Sequence, residues 1–144
     1  MRHLIVLVAA LTLGGCAAHS AAPPPAEDEL YQALGGQSGI ERIVEGLLIN
    51  IADDERIVSH FVDADIDRLF EKLVEQICME SGGPCEYTGD SMEDSHAGMD
   101  ITEGDFNALV ENLIVAMTAE GVPVTSQNRL LHRLAPMRGS IIYR

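Results

Sequence analysis

Six aliphatic residues, Ile40, Ile43, Val44, Leu47, Leu48 and Ile51, recur at three- and four-residue steps through one stretch of the chain. That spacing gathers them on one face of an α-helix but scatters them over both faces of a strand, so it admits helix and rejects sheet. The period returns at Ile66, Leu69, Leu73, Val74 and Ile77, then from Phe106 through Leu109, Val110, Leu113 and Ile114 to Met117. Leu130, Leu131, Leu134 and Met137 give a last stripe. Gly35-Gly36, Gly82-Gly83-Pro84 and Gly121-Val122-Pro123 punctuate these runs. No alternating pattern persists from Asp28 onward. The fold class is therefore all-α, with four substantial helices turning their apolar stripes towards one core.

Local chemistry sharpens the element ends. Leu30 to Leu34 predicts a short first helix stopped by Gly35-Gly36, and the second helix should run from Ser38 to Ile51. Asp53-Asp54 begins a helical turn that leads to Phe61. Asp65 can cap the third helix by accepting from its free amides. Thr102-Glu103-Gly104-Asp105 has the form of a capping box, with Asp in place of Glu. Pro123 suits the first turn of the last helix. Glu86 to Asp100 is rich in Gly, Asp and Ser and reads as loop, with one turn around Met92 to His96.

The front of the chain is different. Leu4 to Leu13 is a ten-residue apolar run, too short to span a bilayer as a mature helix. It ends in Leu13-Gly14-Gly15-Cys16, which resembles the lipobox of a bacterial lipoprotein, where Cys16 takes up the lipid. Residues 1–15 are thus read as a signal peptide and 16–27 as a lipidated tether carrying Pro23-Pro24-Pro25. Residues 28–144 form the domain. Acyl chains anchor stably at about 0.8 kcal/mol per buried methylene. This places the domain on the periplasmic face of a membrane. Ala17 after the cysteine is not an acidic retention signal, which points to the outer membrane where one exists.

The net charge is −14, which argues against nucleic acid, because phosphate binding needs a basic face. It also argues against docking on anionic lipid, so the anchor must supply the membrane attachment. With Cys16 assigned to lipid, Cys78 and Cys85 remain as an even pair flanking the Gly82-Gly83-Pro84 turn. An exported domain permits a disulfide between them, and two free buried thiols are an equal alternative.

Among five histidines, His3 and His19 fall in the signal and tether, leaving His60, His96 and His132. His132 is expected near the surface. His96 follows an irregular loop, where functional side chains are commonly presented. It also precedes a helix whose apolar face could back a flat hydrophobic cofactor.

From Leu30 to Ile142 the chain resembles the group I truncated haemoglobins, bacterial globins with a two-over-two helical sandwich. The likeness rests on Leu34-Gly35-Gly36, on Gly82-Gly83-Pro84 with Tyr87-Thr88-Gly89, on Met92 and His96, and on Gly121-Val122-Pro123. Each is weak alone; in this order and separation they are specific. The resemblance implies haem b, with His96 as the proximal iron ligand, Met92 beside it and Phe61 wedged against the porphyrin. Relatives often carry Tyr and Gln donors on the distal side. Here Leu48, Leu69 and Leu73 take those places and offer no donor. Gln76, one turn on, is the polar residue that could reach back, unless it is simply a solvated helix position. Lys72, together with Arg68, is placed to pair with a haem propionate; a lysine here can also serve a relative as sixth iron ligand, provided its amine is deprotonated. His60 is a weaker candidate, expected to point away from haem if Phe61 points inward.

The resemblance thus implies a haem protein that reversibly binds dioxygen, nitric oxide or carbon monoxide outside the cytoplasmic membrane. Two alternatives stand beside it: a six-coordinate electron carrier, and a haem-free globin-like lipoprotein acting as an interaction module. Nitric oxide dioxygenation would need a lasting dioxygen complex and an unknown reductase, and the sequence shows neither.

Overall fold

The computed structural model describes residues 29–144. The signal, the tether and Cys16 lie outside the described residues. Six α-helices and two 3-10 turns make up the domain, and no strand occurs among the described residues. They are α1 (Glu29–Ala33), α2 (Gly36–Asp53), α3 (Ile66–Glu80), α4 (Met92–Ser95), α5 (Glu103–Ala119) and α6 (Val124–Leu134). The 3-10 turns are Val58–Phe61, between α2 and α3, and Ala135–Ser140, after α6.

The four long helices form a closed ring of contacts: α2 on α3, α3 on α6, α6 on α5, and α5 back on α2. The stripe predicted on α2 lies inside this ring. Ile40, Ile43, Val44, Leu47 and Ile51 are buried, and Leu48 packs against them at the edge of the core. Each fully buried aliphatic of this size contributes about 1.5–3 kcal/mol, so α2 is the main organiser of the interior. Val74 and Ile77 of α3, Leu113, Ala116 and Met117 of α5, and Leu130 of α6 complete the core.

The ends follow local chemistry, with some shifts from expectation. Gly35 and Gly36 both take positive φ, 87° and 64°, which lets α1 turn straight into α2 and starts α2 two residues before Ser38. Asp65 accepts from the Arg68 amide at 3.1 Å. Thr102 and Asp105 form the reciprocal capping box at the start of α5. Pro123 is the residue before α6 rather than its first residue. Ile66, expected on the inner face, is 48% exposed: it opens α3 and points away from the ring. Met137 is not part of α6, because Pro136 has no amide to continue the helix, and the chain tightens to a 3-10 turn after Leu134. Met137 is nonetheless half-buried.

Candidate functional site

α3 has one apolar face and one charged face; Val74 and Ile77 of the apolar face join the core, while Leu69 and Leu73 border open space. Two adjoining cavities of about 330 and 350 Å³ lie against this face. They share Leu73, Gln76, Met92, Leu109 and Ile141 as walls. The first runs inward between α3, α5 and α6 towards Leu47, Leu113 and Leu134. The second opens towards Phe61, Leu69, Lys72, Tyr87 and His96. An apolar hollow of this size with a few convergent polar groups is the form of a small-molecule or cofactor site.

His96 stands at the C-terminal end of α4, half-buried on the wall of the second cavity. Its Nδ1 lies 2.8 Å from the Met92 carbonyl oxygen. A carbonyl can only accept, so Nδ1 donates, and in the neutral ring the lone pair is left on Nε2. That arrangement fixes both the tautomer and the ring orientation, as metal-ligating histidines require. The position of α4 is set by Ser91, whose side chain accepts from the Asp94 amide, and by backbone bonds beyond His96. There the amides of Gly98 and Asp100 donate to the Arg144 carbonyl at 3.0 and 3.1 Å, and that of Tyr143 to the Ile101 carbonyl at 2.9 Å.

The remaining residues singled out in the sequence divide by position. Phe61, Arg68, Leu69, Lys72, Leu73, Gln76 and Met92 all line the second cavity. Leu48 lines neither; Leu47 and Ile51 present α2 to the hollows instead. Gln76 is not a solvated residue. It is half-buried, and its Nε2 lies 3.4 Å from the sulfurs of Met92 and Met137. Thioethers are weak acceptors, so this amide keeps most of its donor capacity inside the cavity. His60 lies 3.5 Å from Asp105 and borders only a third, small hollow of about 60 Å³, which His96 also borders. His132 is exposed.

Lys72 is engaged. Its Nζ donates to Glu75 at 2.9 Å, to Thr88 Oγ1 at 2.7 Å and to Glu71 at 3.2 Å. The carboxylates, Glu75 first, push its pKa above the usual lysine range against the opposing effect of desolvation. The amine is therefore held as an ammonium on the cavity wall. Glu75 in turn accepts from the Thr88 amide at 2.9 Å and from Lys72, which lowers its pKa from the ordinary 4.5 to about 2. A depressed carboxylate stabilises the folded state above its ordinary pKa, and that contribution fades as the pH falls from about 4.5 towards 2. Amide exchange at Thr88 is therefore expected to be slow at pH 6 and to gain extra opening below pH 4. In Glu75→Gln the exchange at pH 6 should already be fast, with little further opening on acidification.

Cys78 and Cys85 are joined in a disulfide, with their Cα atoms 5.7 Å apart. Cys78 is fully buried and Cys85 half-buried. Gly83 fits between: a Cβ there would sit 2.5 Å from the Tyr31 ring and 2.7 Å from Cys78 Sγ. Several wall residues carried no periodic signal. Ile141 borders all three hollows, and Arg138 lies 5.7 Å from the Phe106 ring centroid in a cation–π contact.

A two-over-two helical ring that leaves an apolar hollow beside one ordered imidazole defines a truncated globin. The profile of the bacterial-like globins matches residues 29–143, and the chain belongs to that family. It is 33% identical over 112 residues to a group 1 truncated hemoglobin of Mycolicibacterium paratuberculosis, covering 78% of this chain and 82% of that protein. It is 32% identical over 113 residues to one of a Nostoc species, covering 78% of this chain and 96% of the relative. Among solved structures, the truncated hemoglobin of Tetrahymena pyriformis in its Fe(III) form superposes with a TM-score of 0.77 at 26% identity, over 80% of this chain and 98% of that one. The 2/2 hemoglobin of Synechococcus, at 23% identity and a TM-score of 0.73, shares the fold. Membership of this family implies a haem and a diatomic gas as its ligand.

Proposed function

We propose that this protein binds one haem b in the joined cavities and uses it to bind diatomic gases reversibly outside the cytoplasmic membrane. One observation carries the reading: the His96 ring, oriented by the Met92 carbonyl, keeps its Nε2 lone pair available on the wall of an apolar hollow. The donor set fits the group. A single neutral imidazole serves as the iron ligand, Phe61, Leu69, Leu73 and Leu109 supply apolar walls, and the Lys72 ammonium matches a propionate. The chain contains no Cys-x-x-Cys-His run, so no thioether attachment is implied. The haem, once bound, supplies an open iron position where a gas attaches and leaves. Hemin added to the full chain should give a Soret band that saturates at one equivalent. No band at any ratio would favour the haem-free interaction module.

The residues then set ligand preference. Leu69 and Leu73 face the second cavity without a hydrogen-bond donor, so a polar gas complex gains little from them, and Gln76 is the neutral amide donor on the same wall. The pocket thus favours nitric oxide and carbon monoxide relative to dioxygen. Leu73→Gln is expected to slow dioxygen release about tenfold, the effect of one hydrogen bond of roughly 1.4 kcal/mol. Stopped-flow release rates check it, and an unchanged rate would show that this position does not face the gas. Lys72 as an ammonium opposes the six-coordinate electron carrier, since a charged amine has no lone pair for iron.

The location belongs to the same reading. The apolar run before Cys16 supports a lipid anchor holding the domain at the periplasmic face of a membrane, the outer membrane where there is one. No described helix is long and apolar enough to cross a membrane. Cys16→Ala should abolish fatty-acid incorporation and release the protein from the membrane fraction. A reductase outside the cytoplasm would be the electron source if nitric oxide dioxygenation occurs.

A further inference from the structure

We propose that the Cys78–Cys85 disulfide is a redox-operated strap on the haem cavity, a reading that rests on haem occupying that cavity. The segment from Cys85 to Asp90 has no regular structure of its own, yet it supplies Tyr87 and Asp90 to the wall of the second cavity and leads directly into α4 and His96. It is fastened to α3 at two places. One is the disulfide to Cys78. The other is the latch of Thr88 on Glu75 and Lys72, with Thr88 N to Glu75 at 2.9 Å and Lys72 Nζ to Thr88 Oγ1 at 2.7 Å. A third tie, Arg68 to Asp90 at 3.4 Å, is long and exposed and adds little.

The two strong fastenings differ in kind. The latch is made of polar groups that exchange with water; the disulfide is covalent and opens by attack of a nucleophilic reductant on sulfur. A thiolate of a dithiol reductant would attack the half-buried Cys85 sulfur, since Cys78 is fully covered. The sulfur–sulfur bond breaks and a mixed disulfide forms at Cys85. The second thiol of the reductant closes its own ring disulfide, and the domain keeps both electrons and two protons as two thiols. The segment is then held to α3 by the Thr88 latch and the weak Arg68–Asp90 pair. The wall carrying Tyr87 loosens, and the approach to α4 gains freedom. Oxidising surroundings thus keep haem strapped in, and reducing ones let it exchange.

The test uses the full chain, oxidised and then reduced with a phosphine, with thiol titration confirming two free thiols. Two readouts are taken. One is amide exchange over residues 85–91 in the hemin-free chain. The other is the rate of hemin transfer to excess apomyoglobin. Reduction is expected to speed exchange in that segment but not in α2 or α5, and to speed hemin loss about tenfold, a fraction of the stabilisation that closing a short loop supplies to the fold. The double substitution Cys78→Ala with Cys85→Ser should match the reduced chain and be insensitive to phosphine. Hemin loss changed by less than twofold, or exchange unchanged over 85–91, overturns the strap. Loss of the helical circular dichroism on reduction also overturns it, because the bond would then be a requirement of the fold. If hemin binds neither form, the haem reading fails, while the exchange data still decide whether the bond holds the segment.

Discussion

His96→Ala is expected to lose the sharp Soret band that hemin gives with the unsubstituted chain, with affinity lowered by two orders of magnitude or more. Removing partners that merely orient a metal ligand typically costs 10–100-fold, and loss of the ligand itself should exceed that. His96 is half-buried at the end of a four-residue helix, and its side chain bonds only to the Met92 carbonyl. Truncation therefore leaves the four-helix ring intact, and helical circular dichroism should be unchanged. His96→Gly sharpens the test. Free imidazole in the buffer should restore the band in that variant and have no such effect on Leu69→Ala. Hemin titration by absorbance measures both. An undiminished band in His96→Ala would remove this residue from the iron.

Gly39→Ala is the second large effect, and its sign opposes intrinsic helix preference. Alanine in a helix interior is favoured over glycine by about 1 kcal/mol, so the substitution would stabilise a free helix. Here Gly39 is buried in the first turns of α2, where α1 folds back over it. A Cβ at this point would run into the carbonyl of Leu34, a backbone group with no rotamer to escape through. Relief requires α1 to move, and α1 carries Leu30, which is fully buried. Overpacking of this kind costs about 3 kcal/mol at the upper end of its usual range. Urea unfolding should show a midpoint well below that of the unsubstituted chain. An equal or higher midpoint would mean that α1 does not press on α2.

The four long helices were legible in the sequence because each buries a stripe with a 3.6-residue period, and glycine or proline marks its ends. The site was legible in part, for a physical reason. Leu69 and Leu73 carry the helical period of α3, whereas Phe61, Lys72, Gln76, Met92 and His96, on the same wall, were placed by likeness to the globins. The contribution of Ile141 was not legible, since Pro136 breaks the helix and the period with it; Met137 was expected inside on the last stripe and reaches the cavity from the 3-10 turn instead of from α6. For Gln76 the sequence left a cavity-facing and a solvated reading side by side, because its partners are two methionine sulfurs far along the chain. The Glu75–Thr88 latch joins a helix to an irregular loop, and no spacing announces such a contact. Leu48 illustrates the reverse: a place assigned by likeness, where the structure turns the neighbouring Leu47 and Ile51 towards the hollows.

The most direct measurement is resonance Raman spectroscopy of the ferrous, gas-free protein reconstituted with hemin and reduced. An iron–histidine stretching band should be present, shift when histidine is labelled with nitrogen-15, and vanish in His96→Gly supplied with a non-imidazole base. The same band persisting in that variant, or no such band in the intact protein, would contradict the claim that His96 carries the haem.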